Sequence, residues 1–328
     1  MKKQLPLIYF TFAIATTLFI SACSNIKNPP PANEQQSEQS TSPATEVTGT
    51  ATEKVIASPV EISVASVAEL TALFSKLKYS RDNWTEENWT VPRITFNGIG
   101  KNWKETSDKL PVKVKKELFF RLMTPLILIA NENIKDERHI IENSALYSQA
   151  LKTIALKYRL IENMQSKIDE TLRQSLLQRV DILPPSLALA QAAEESGWAT
   201  SRFAIEGNAF FGQWDFSGKG MKPRQQRKGL GNYGVARFAT PLASVEGYML
   251  NINRNRAYQK LRYLRAQLRA ENKAVTGYKL AGTLDKYSER GQAYIDGLRS
   301  MIRYNKLAQI DQANLADNPL IHITSNWL

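Results

Sequence analysis

Apolar residues recur at helical spacing along much of the chain from residue 67 onward. The stretch 110–134 predicts a long helix with a kink at Pro125, and residues 144–180 predict a helical region broken near Asn163. An earlier set predicts a first amphipathic helix and consists of Val67, Leu70, Leu73, Phe74 and Leu77.

An alanine-rich run, LALAQAAEE, stands near the middle of the chain. Prolines in the segment 184–186 predict the start of a helix there, and Gly197 predicts its end. Glu195 shares a helical stripe with alanines, and a carboxyl on such a packed face loses hydration. That loss raises its pKa, as a general acid requires. The alternative is a solvated charge at the helix end. Neighbouring side chains point about 100° apart, so Glu194 or Glu195 must face outward.

The N-terminus carries a short apolar run behind two lysines. The run Leu5–Ile20 is too short for a comfortable membrane span and predicts an export signal. It ends in Ile-Ser-Ala-Cys, which resembles the bacterial lipobox. Residues 1–22 are therefore predicted to be a lipoprotein signal peptide and Cys23 the lipidation site. An ordinary signal peptide is the alternative, although the chain holds no second cysteine that would give Cys23 a disulfide partner.

Composition divides the rest of the chain. Residues 23–60 are rich in Pro, Ser, Thr, Glu, Gln and Asn and cannot bury enough apolar surface to fold. They predict a disordered tether. Residues 61–310 predict a folded domain with an N-terminal helical extension, and residues 311–328 predict a C-terminal tail.

Lysine and arginine total 43 against 31 acidic residues, which gives a formal charge of +12. The surplus lies beyond the tether, so the folded part favours a polyanionic partner. Nucleic acid fits badly with an exported chain and is not predicted as a partner. The run 254–269 places leucines on one face and basic residues elsewhere. This pattern predicts a solvated helix face, with a polymer-docking strip as the alternative.

No cofactor or metal is predicted. His139 and His322 are far apart and lack ligand spacing, and Cys23 is the only thiol. No glycine-rich loop precedes a lysine and a serine or threonine in the order that phosphate binding requires. These features leave side-chain acid–base chemistry as the candidate.

The central motifs resemble a known family. The segments LALAQAAEESGWATSRF (187–203) and GNAFFGQW (207–214), followed by 238–258 and 284–298, are similar to the glucosaminidase domain of peptidoglycan hydrolases. The match is closer to the Bax-type proteins, grouped with the mannosyl-glycoprotein endo-β-N-acetylglucosaminidase-like family, and covers roughly residues 66–308. It implies a mainly α (α+β), lysozyme-like fold, with a glycan-binding groove between a helical lobe and a small loop or β lobe.

The resemblance also implies site residues. Glu195 corresponds to the catalytic acid, and Tyr287 to a tyrosine near the cleaved sugar, although a core aromatic is the alternative for Tyr287. The residues 213–238 lack the second glutamate that many relatives carry. This leaves Asp215 and Glu289 as candidate second carboxylates, or assistance from the acetamido group of the substrate. The expected substrate-binding residues are Asn208, Phe211, Gly212 and Trp214, of which Phe211 and Trp214 would stack on sugars unless they are core.

The resulting functional expectation is a lipid-anchored endo-β-N-acetylglucosaminidase. Its substrate would be peptidoglycan or a related N-acetylglucosamine polymer, and it would lie in the cell envelope on the periplasmic face of the outer membrane. One alternative is a lytic transglycosylase, although the sequence FGQW at 211–214 differs from the motif usual in those enzymes. The other is a non-catalytic glycan-binding lipoprotein, which the missing glutamate favours.

Overall fold

The computed structural model describes residues 58–80, 89–224 and 233–325. The predicted signal peptide, Cys23 and nearly all of the predicted tether lie outside these ranges. Within them, no helix is long and apolar enough to cross a membrane.

Helices dominate the described chain, and the strands are few and short. The helices are α1 (Val67–Lys76), α2 (Trp103–Asp108), α3 (Val112–Asn143), α4 (Gln149–Lys157), α5 (Glu170–Arg179), α6 (Pro185–Ser196), α7 (Arg202–Gly207), α8 (Pro241–Arg254), α9 (Gln259–Ala270), α10 (Gly277–Ala281) and α11 (Gln292–Tyr304). Two 3₁₀ helices span Arg256–Tyr258 and Leu307–Gln312. The strands are β1 (Val60–Val64), β2 (Thr90–Val91), β3 (Ile94–Phe96), β4 (Trp214–Asp215), β5 (Gly234–Val235), β6 (Asn314–Leu315) and β7 (Ile321–Ser325).

Local sequence explains most helix boundaries. The first amphipathic helix is confirmed as α1, and the break near Asn163 separates α4 from α5. α3 continues through Pro125. Many helices begin after a residue whose side-chain oxygen accepts a hydrogen bond from a main-chain N–H in the first turn, which satisfies a donor that the helix itself cannot pair. These residues are Ser66, Ser148, Asp169, Ser201, Thr240 and Thr276.

α6 lies at the centre of the core. It packs against α3, α10, α11 and the 3₁₀ helix Leu307–Gln312, and every residue from Pro185 to Ala193 is buried. Small side chains allow this close packing. A Cβ atom on Gly277, at the start of α10, would lie 2.5 Å from the main-chain nitrogen of Leu187.

Asp311 ties the beginning of α6 to its neighbours. Its carboxylate accepts hydrogen bonds from the main-chain N–H and the hydroxyl of Ser186, both at 2.8 Å, and from the N–H of Gly277 at 3.1 Å. Because α6 follows Pro184 without a side-chain cap of its own, a residue 125 positions away supplies the acceptor. The start of the central helix therefore depends on tertiary contact.

The C-terminal segment corrects one prediction. Residues 311–328 were expected to form a tail, but β7 lies between β1 and β3 in a parallel three-stranded sheet. Ile321 is paired with both Val60 and Ile94, and Ile323 is fully buried. The end of the described chain thus closes the fold against its beginning.

The basic run 254–269 also differs from expectation. In α9, Arg262 and Arg265 are buried rather than solvated. Arg265 donates hydrogen bonds to the carbonyl oxygens of Asp181 and Arg179 and to the side chain of Asn253. Burial lowers the pKa of each guanidinium to about 10, so both remain charged at neutral pH. Arg265 links α9 to the end of α5 and the residues after it, whereas Arg262 donates to the carbonyl oxygens of Ile252 and Asn255 at the end of α8.

Candidate active site

Glu195 occupies the last turn of α6, where the buried helix reaches the edge of the core. Its side chain is half-buried. Gly197 ends the helix as predicted, in the left-handed conformation with φ of 58°. The next two residues, Trp198 and Ala199, have positive φ values of 61° and 65°, which side-chain-bearing residues seldom adopt. The helix therefore ends in a strained turn directly after the candidate acid.

Side chains hold this turn in place. The hydroxyl of Ser196 donates to the carbonyl of Ala192 and accepts a hydrogen bond from the N–H of Ala199 at 2.9 Å. The Trp198 ring packs edge-on against Phe119 and Phe120 of α3. The Glu-Ser-Gly-Trp motif thus places a carboxyl at a helix end that the hydroxyl and the indole keep rigid.

The two oxygens of the Glu195 carboxyl have different neighbours. Oε1 accepts a hydrogen bond from the hydroxyl of Tyr294 at 2.8 Å. Oε2 faces Gly212, because a Cβ atom on Gly212 would lie 3.3 Å from it. Gly212 has φ of 61°, so both its conformation and the nearby carboxyl favour glycine.

Burial is the main influence on the Glu195 carboxyl, and it raises the pKa above its ordinary value. The hydrogen bond from Tyr294 and the charge of Arg290 oppose this effect, while the charge of Glu194 adds to it. The balance favours the protonated form more than in a solvated glutamate, as donation of a proton requires.

Glu194 lies at the edge of the site, next to Glu195 on α6. Its carboxylate forms an ion pair with Arg290 at 2.6 Å, and its side chain is 30% exposed. The guanidinium of Arg290 also lies 5.2 Å from the centre of the Tyr294 ring. This pair therefore borders the same tyrosine that contacts Glu195.

Tyr287 contributes to the site through the turn around Gly212. Its hydroxyl donates a hydrogen bond to the main-chain oxygen of Phe211 at 3.0 Å. Its ring stacks on Tyr294 with a centroid separation of 5.5 Å and an interplanar angle of 5°, and burial raises its pKa. These contacts describe a positioning residue, so direct action of Tyr287 on the substrate stays a prediction.

The expected sugar-binding residues separate into two groups. The ring of Phe211 is buried and stacks on Tyr248 at 4.0 Å, so its prediction as a sugar-stacking wall is wrong. Trp214 is 55% exposed and lies beside the exposed ring of Phe216. The amide nitrogen of Asn208 donates to the carbonyls of residues 238 and 239, and substrate binding by this side chain stays a prediction.

The two candidate second carboxylates stand in loop or short-strand segments after α7 and before α11. Asp215 stands on β4, where the main-chain N–H of Ser217 donates to its carboxylate at 2.7 Å. Hydrogen bonds from Ser217 and Gly220 lower its pKa. Glu289 is exposed in the loop before α11. The Asp215 carboxylate is therefore engaged by its own turn, and the roles of Asp215 and Glu289 as second carboxylates stay predictions.

Sequence reasoning missed the polar residues behind Glu195. Gln191, Tyr248 and Tyr294 are all buried at this point of the core. Gln191 offered one signal, because it is the only polar side chain between Leu187 and Ala193 on a helix that is otherwise apolar there. The two tyrosines gave no comparable signal.

Comparison with known proteins identifies the family of this chain. Residues 171–307 match the family model of the glucosaminidase domain, described as mannosyl-glycoprotein endo-beta-N-acetylglucosaminidase. The chain is also similar to Protein bax of Escherichia coli (strain K12), with 32% identity over 199 residues that cover 58% of this chain and 70% of that protein. The chain belongs to the Bax-type glucosaminidase-domain proteins. No solved structure matches it significantly.

Membership in the Bax-type family confirms the expected fold class, which is mainly α (α+β) and lysozyme-like. A glucosaminidase domain is of the glycosidase type and has a glycan as its substrate. The matched residues include Glu195, Trp214 and Tyr287. They leave out α3 and β7, which complete the core around the domain.

Proposed function

We propose that this Bax-type protein is an endo-β-N-acetylglucosaminidase that cleaves peptidoglycan or a related N-acetylglucosamine polymer. The half-buried carboxyl of Glu195, whose pKa burial raises, is the observation that carries this proposal. Glu195 would protonate the glycosidic oxygen as the bond to the leaving sugar breaks. This step requires an acid that keeps its proton near neutral pH and can still reach the substrate.

The exposed rings near the site support glycan binding. Trp214 and Phe216 lie nearly parallel, with an interplanar angle of 14° and centroids 6.4 Å apart. Aromatic faces of this kind offer apolar surface to the C–H face of a sugar ring, and Trp214 follows Gly212 by two positions. A glycan strand that crosses these rings would pass beside the Glu195 carboxyl.

The surroundings of Glu195 also favour a second candidate reaction. Since the Asp215 carboxylate is bound within its own turn, the positive charge on the sugar would be stabilised by the acetamido group of the substrate. A hydroxyl of the same sugar would then compete with water for the anomeric carbon. Attack by that hydroxyl is lytic transglycosylation and produces an anhydro sugar.

We also propose that Cys23 carries a lipid that anchors the protein in the cell envelope, on the periplasmic face of the outer membrane. The lipobox-like sequence before Cys23 supports this. Acyl chains anchor a protein by burying methylene groups, and two signals are usually needed for stable attachment. Labelling with a radioactive fatty acid in cells tests the anchor. Incorporation that persists in Cys23→Ala would contradict it.

Digestion of purified peptidoglycan in a gel tests the catalytic assignment. Wild type is expected to clear the gel, and Glu195→Gln, which keeps the shape of the side chain but cannot donate the acidic proton, is expected to lose clearing. Glu105→Gln, at an exposed carboxylate on α2, is the control and should retain clearing. Equal clearing by wild type and Glu195→Gln would contradict the assignment of Glu195 as the general acid. Absence of clearing by all three would favour a glycan-binding protein.

Mass spectrometry of the released fragments separates the two reactions. Hydrolysis leaves a reducing end, whereas transglycosylation leaves an anhydro sugar that is lighter by one water. Fragments that end in N-acetylglucosamine are expected. Fragments that end only in N-acetylmuramic acid would assign the cleavage to the other bond of the polymer.

A further inference from the structure

A chain of buried polar groups runs through the core to the Glu195 carboxyl. The hydroxyl of Tyr248 donates to Oε1 of Gln191 at 2.6 Å. Nε2 of Gln191 then donates to the hydroxyl of Tyr294 at 3.0 Å. Tyr294 in turn donates to Oε1 of Glu195 at 2.8 Å. The three elements that carry these residues are α8, α6 and α11.

The order of donors gives this chain a direction. A glutamine amide has a donor end and an acceptor end, and Tyr248 offers its proton to the acceptor end. Rotating the Gln191 amide by half a turn would put its oxygen against Tyr294. The Tyr294 proton would then turn toward Gln191 and away from Glu195. The hydroxyl of Tyr248 would lose its acceptor in a dry core, which is costly.

Burial leaves these side chains few alternative hydrogen-bond partners. Gln191 and Tyr248 are 0% exposed and Tyr294 is 1% exposed. Burial also raises the pKa of both tyrosines well above the ordinary value, so each hydroxyl keeps its proton at any physiological pH. Ionisation of the tyrosines therefore does not interrupt the hydrogen-bond chain.

We propose that Tyr248, Gln191 and Tyr294 form a one-directional hydrogen-bond chain that positions the Glu195 carboxyl and assigns its acidic proton to Oε2. Because Oε1 accepts the last proton of the chain, Oε2 is the oxygen left to carry the acidic one. Oε2 is also the oxygen beside Gly212. The use of that proton in bond cleavage rests on the proposed function, whereas the existence of the hydrogen-bond chain does not.

Several ionisable groups besides Tyr294 face this carboxyl, and all of them except Tyr248 are left unsubstituted in the test. Glu194 neighbours it on α6, and Arg290 approaches from the loop before α11. Three further tyrosines interact electrostatically with Glu195 from α8, the following 3₁₀ helix and the loop before α11, namely Tyr248, Tyr258 and Tyr287.

The test compares phenylalanine variants of the full chain in detergent. Tyr294→Phe removes the donor to Glu195, and Tyr248→Phe releases the Gln191 amide while keeping the ring that stacks on Phe211. Tyr158→Phe is the matched control, since its hydroxyl is also buried but donates to Glu137. Each variant is made with and without Glu195→Gln, and the Tm of each pair is measured between pH 4 and pH 9.

The difference in Tm within a pair changes with pH between the unfolded and the folded pKa of Glu195, so its midpoint moves with the folded pKa without any need for activity. Tyr294→Phe is expected to raise the midpoint by about one pH unit, because a hydrogen bond to the ionised form is lost. Tyr248→Phe should raise it less. A variant that combines Tyr248→Phe with Tyr294→Phe should have the same midpoint as Tyr294→Phe alone, since Tyr248 acts only through Tyr294. Tyr158→Phe should lower Tm and leave the midpoint unchanged.

Kinetics on soluble peptidoglycan fragments supply the second measurement. Tyr294→Phe is expected to lower kcat by about tenfold with little change in KM, and to move the alkaline limb of the pH profile upward. Unchanged midpoints in both tyrosine variants would overturn the proposal and leave a structural role only. A double variant whose shift equals the sum of the single shifts would also overturn it. If the midpoints shift but the protein has no glycosidase activity, the result would support the hydrogen-bond chain and contradict the proposed function.

Discussion

Gly212→Ala tests how closely the turn after α7 approaches the catalytic candidate. The added methyl group would lie 3.3 Å from Oε2 of Glu195, which is tighter than ordinary van der Waals contact. It would occupy space that a glycosidic oxygen needs in order to receive the proton. A misplacement of this size at a reacting centre costs about a hundredfold in rate, and we expect a loss of kcat on that scale.

Gly291→Ala provides the matched control. Gly291 also has a positive φ, 53° with ψ of −120°, and a Cβ atom there would meet nothing within 4 Å. An alanine held in such a sparsely populated conformation costs about 1 to 3 kcal/mol. Reduced freedom of the unfolded chain offsets about 0.4 to 1 kcal/mol of that penalty. The net loss of about 1 kcal/mol corresponds to a Tm lower by about 2 to 4 °C in both variants.

The assay is clearing of a peptidoglycan suspension, with Tm measured by differential scanning calorimetry. Both variants should melt below the wild type, but only Gly212→Ala should lose activity. Wild-type activity in both variants would refute the close approach of Gly212 to Oε2. Equal loss of activity in both would assign the effect to backbone strain in general.

Four further outcomes follow from the structure. Glu195→Gln should raise Tm at pH 7, because burial raises the pKa of this carboxyl and its ionised form therefore destabilises the folded state. This increase in Tm should disappear below the ordinary pKa of 4.5, where Glu195 is protonated in both the folded and the unfolded protein. Arg265→Met should cost about 3 to 5 kcal/mol of unfolding free energy in urea, whereas Lys104→Met, in an exposed pair, should cost less than about 1 kcal/mol. Ile323→Ala should cost about 2 to 5 kcal/mol, whereas a tail position would cost less than about 0.5 kcal/mol. Trp214→Ala should raise KM severalfold in a kinetic assay and leave Tm unchanged, because this ring is 55% exposed.

The alanine-rich helix shows how far residue pattern alone reaches. Proline at the start and Gly197 at the end predicted α6, and the small-residue stripe predicted packing around Glu195. These inferences hold because they depend on neighbours three or four positions away. The pattern did not distinguish the roles of Glu194 and Glu195, because the Arg290 that pairs with Glu194 lies 96 positions along the chain.

The basic run 254–269 shows where pattern fails. Arginines beside a leucine face predict solvated charges, since an exposed guanidinium is the ordinary case. Arg265 is buried instead, because the chain between α5 and α6 offers it carbonyl oxygens in the core. Those acceptors lie more than 80 positions away, and no local period reveals them.

The sequence by itself determined the helical character of the domain, the bounds of α6, the family and the candidate acid, because helix propensity, capping and motif spacing are local properties. Only the tertiary structure decided that β7 completes a sheet with β1, that Phe211 is core, and that tyrosines from α8 and α11 meet behind Glu195. Each of these depends on contacts between distant segments. Such contacts form when the whole chain buries its apolar surface together.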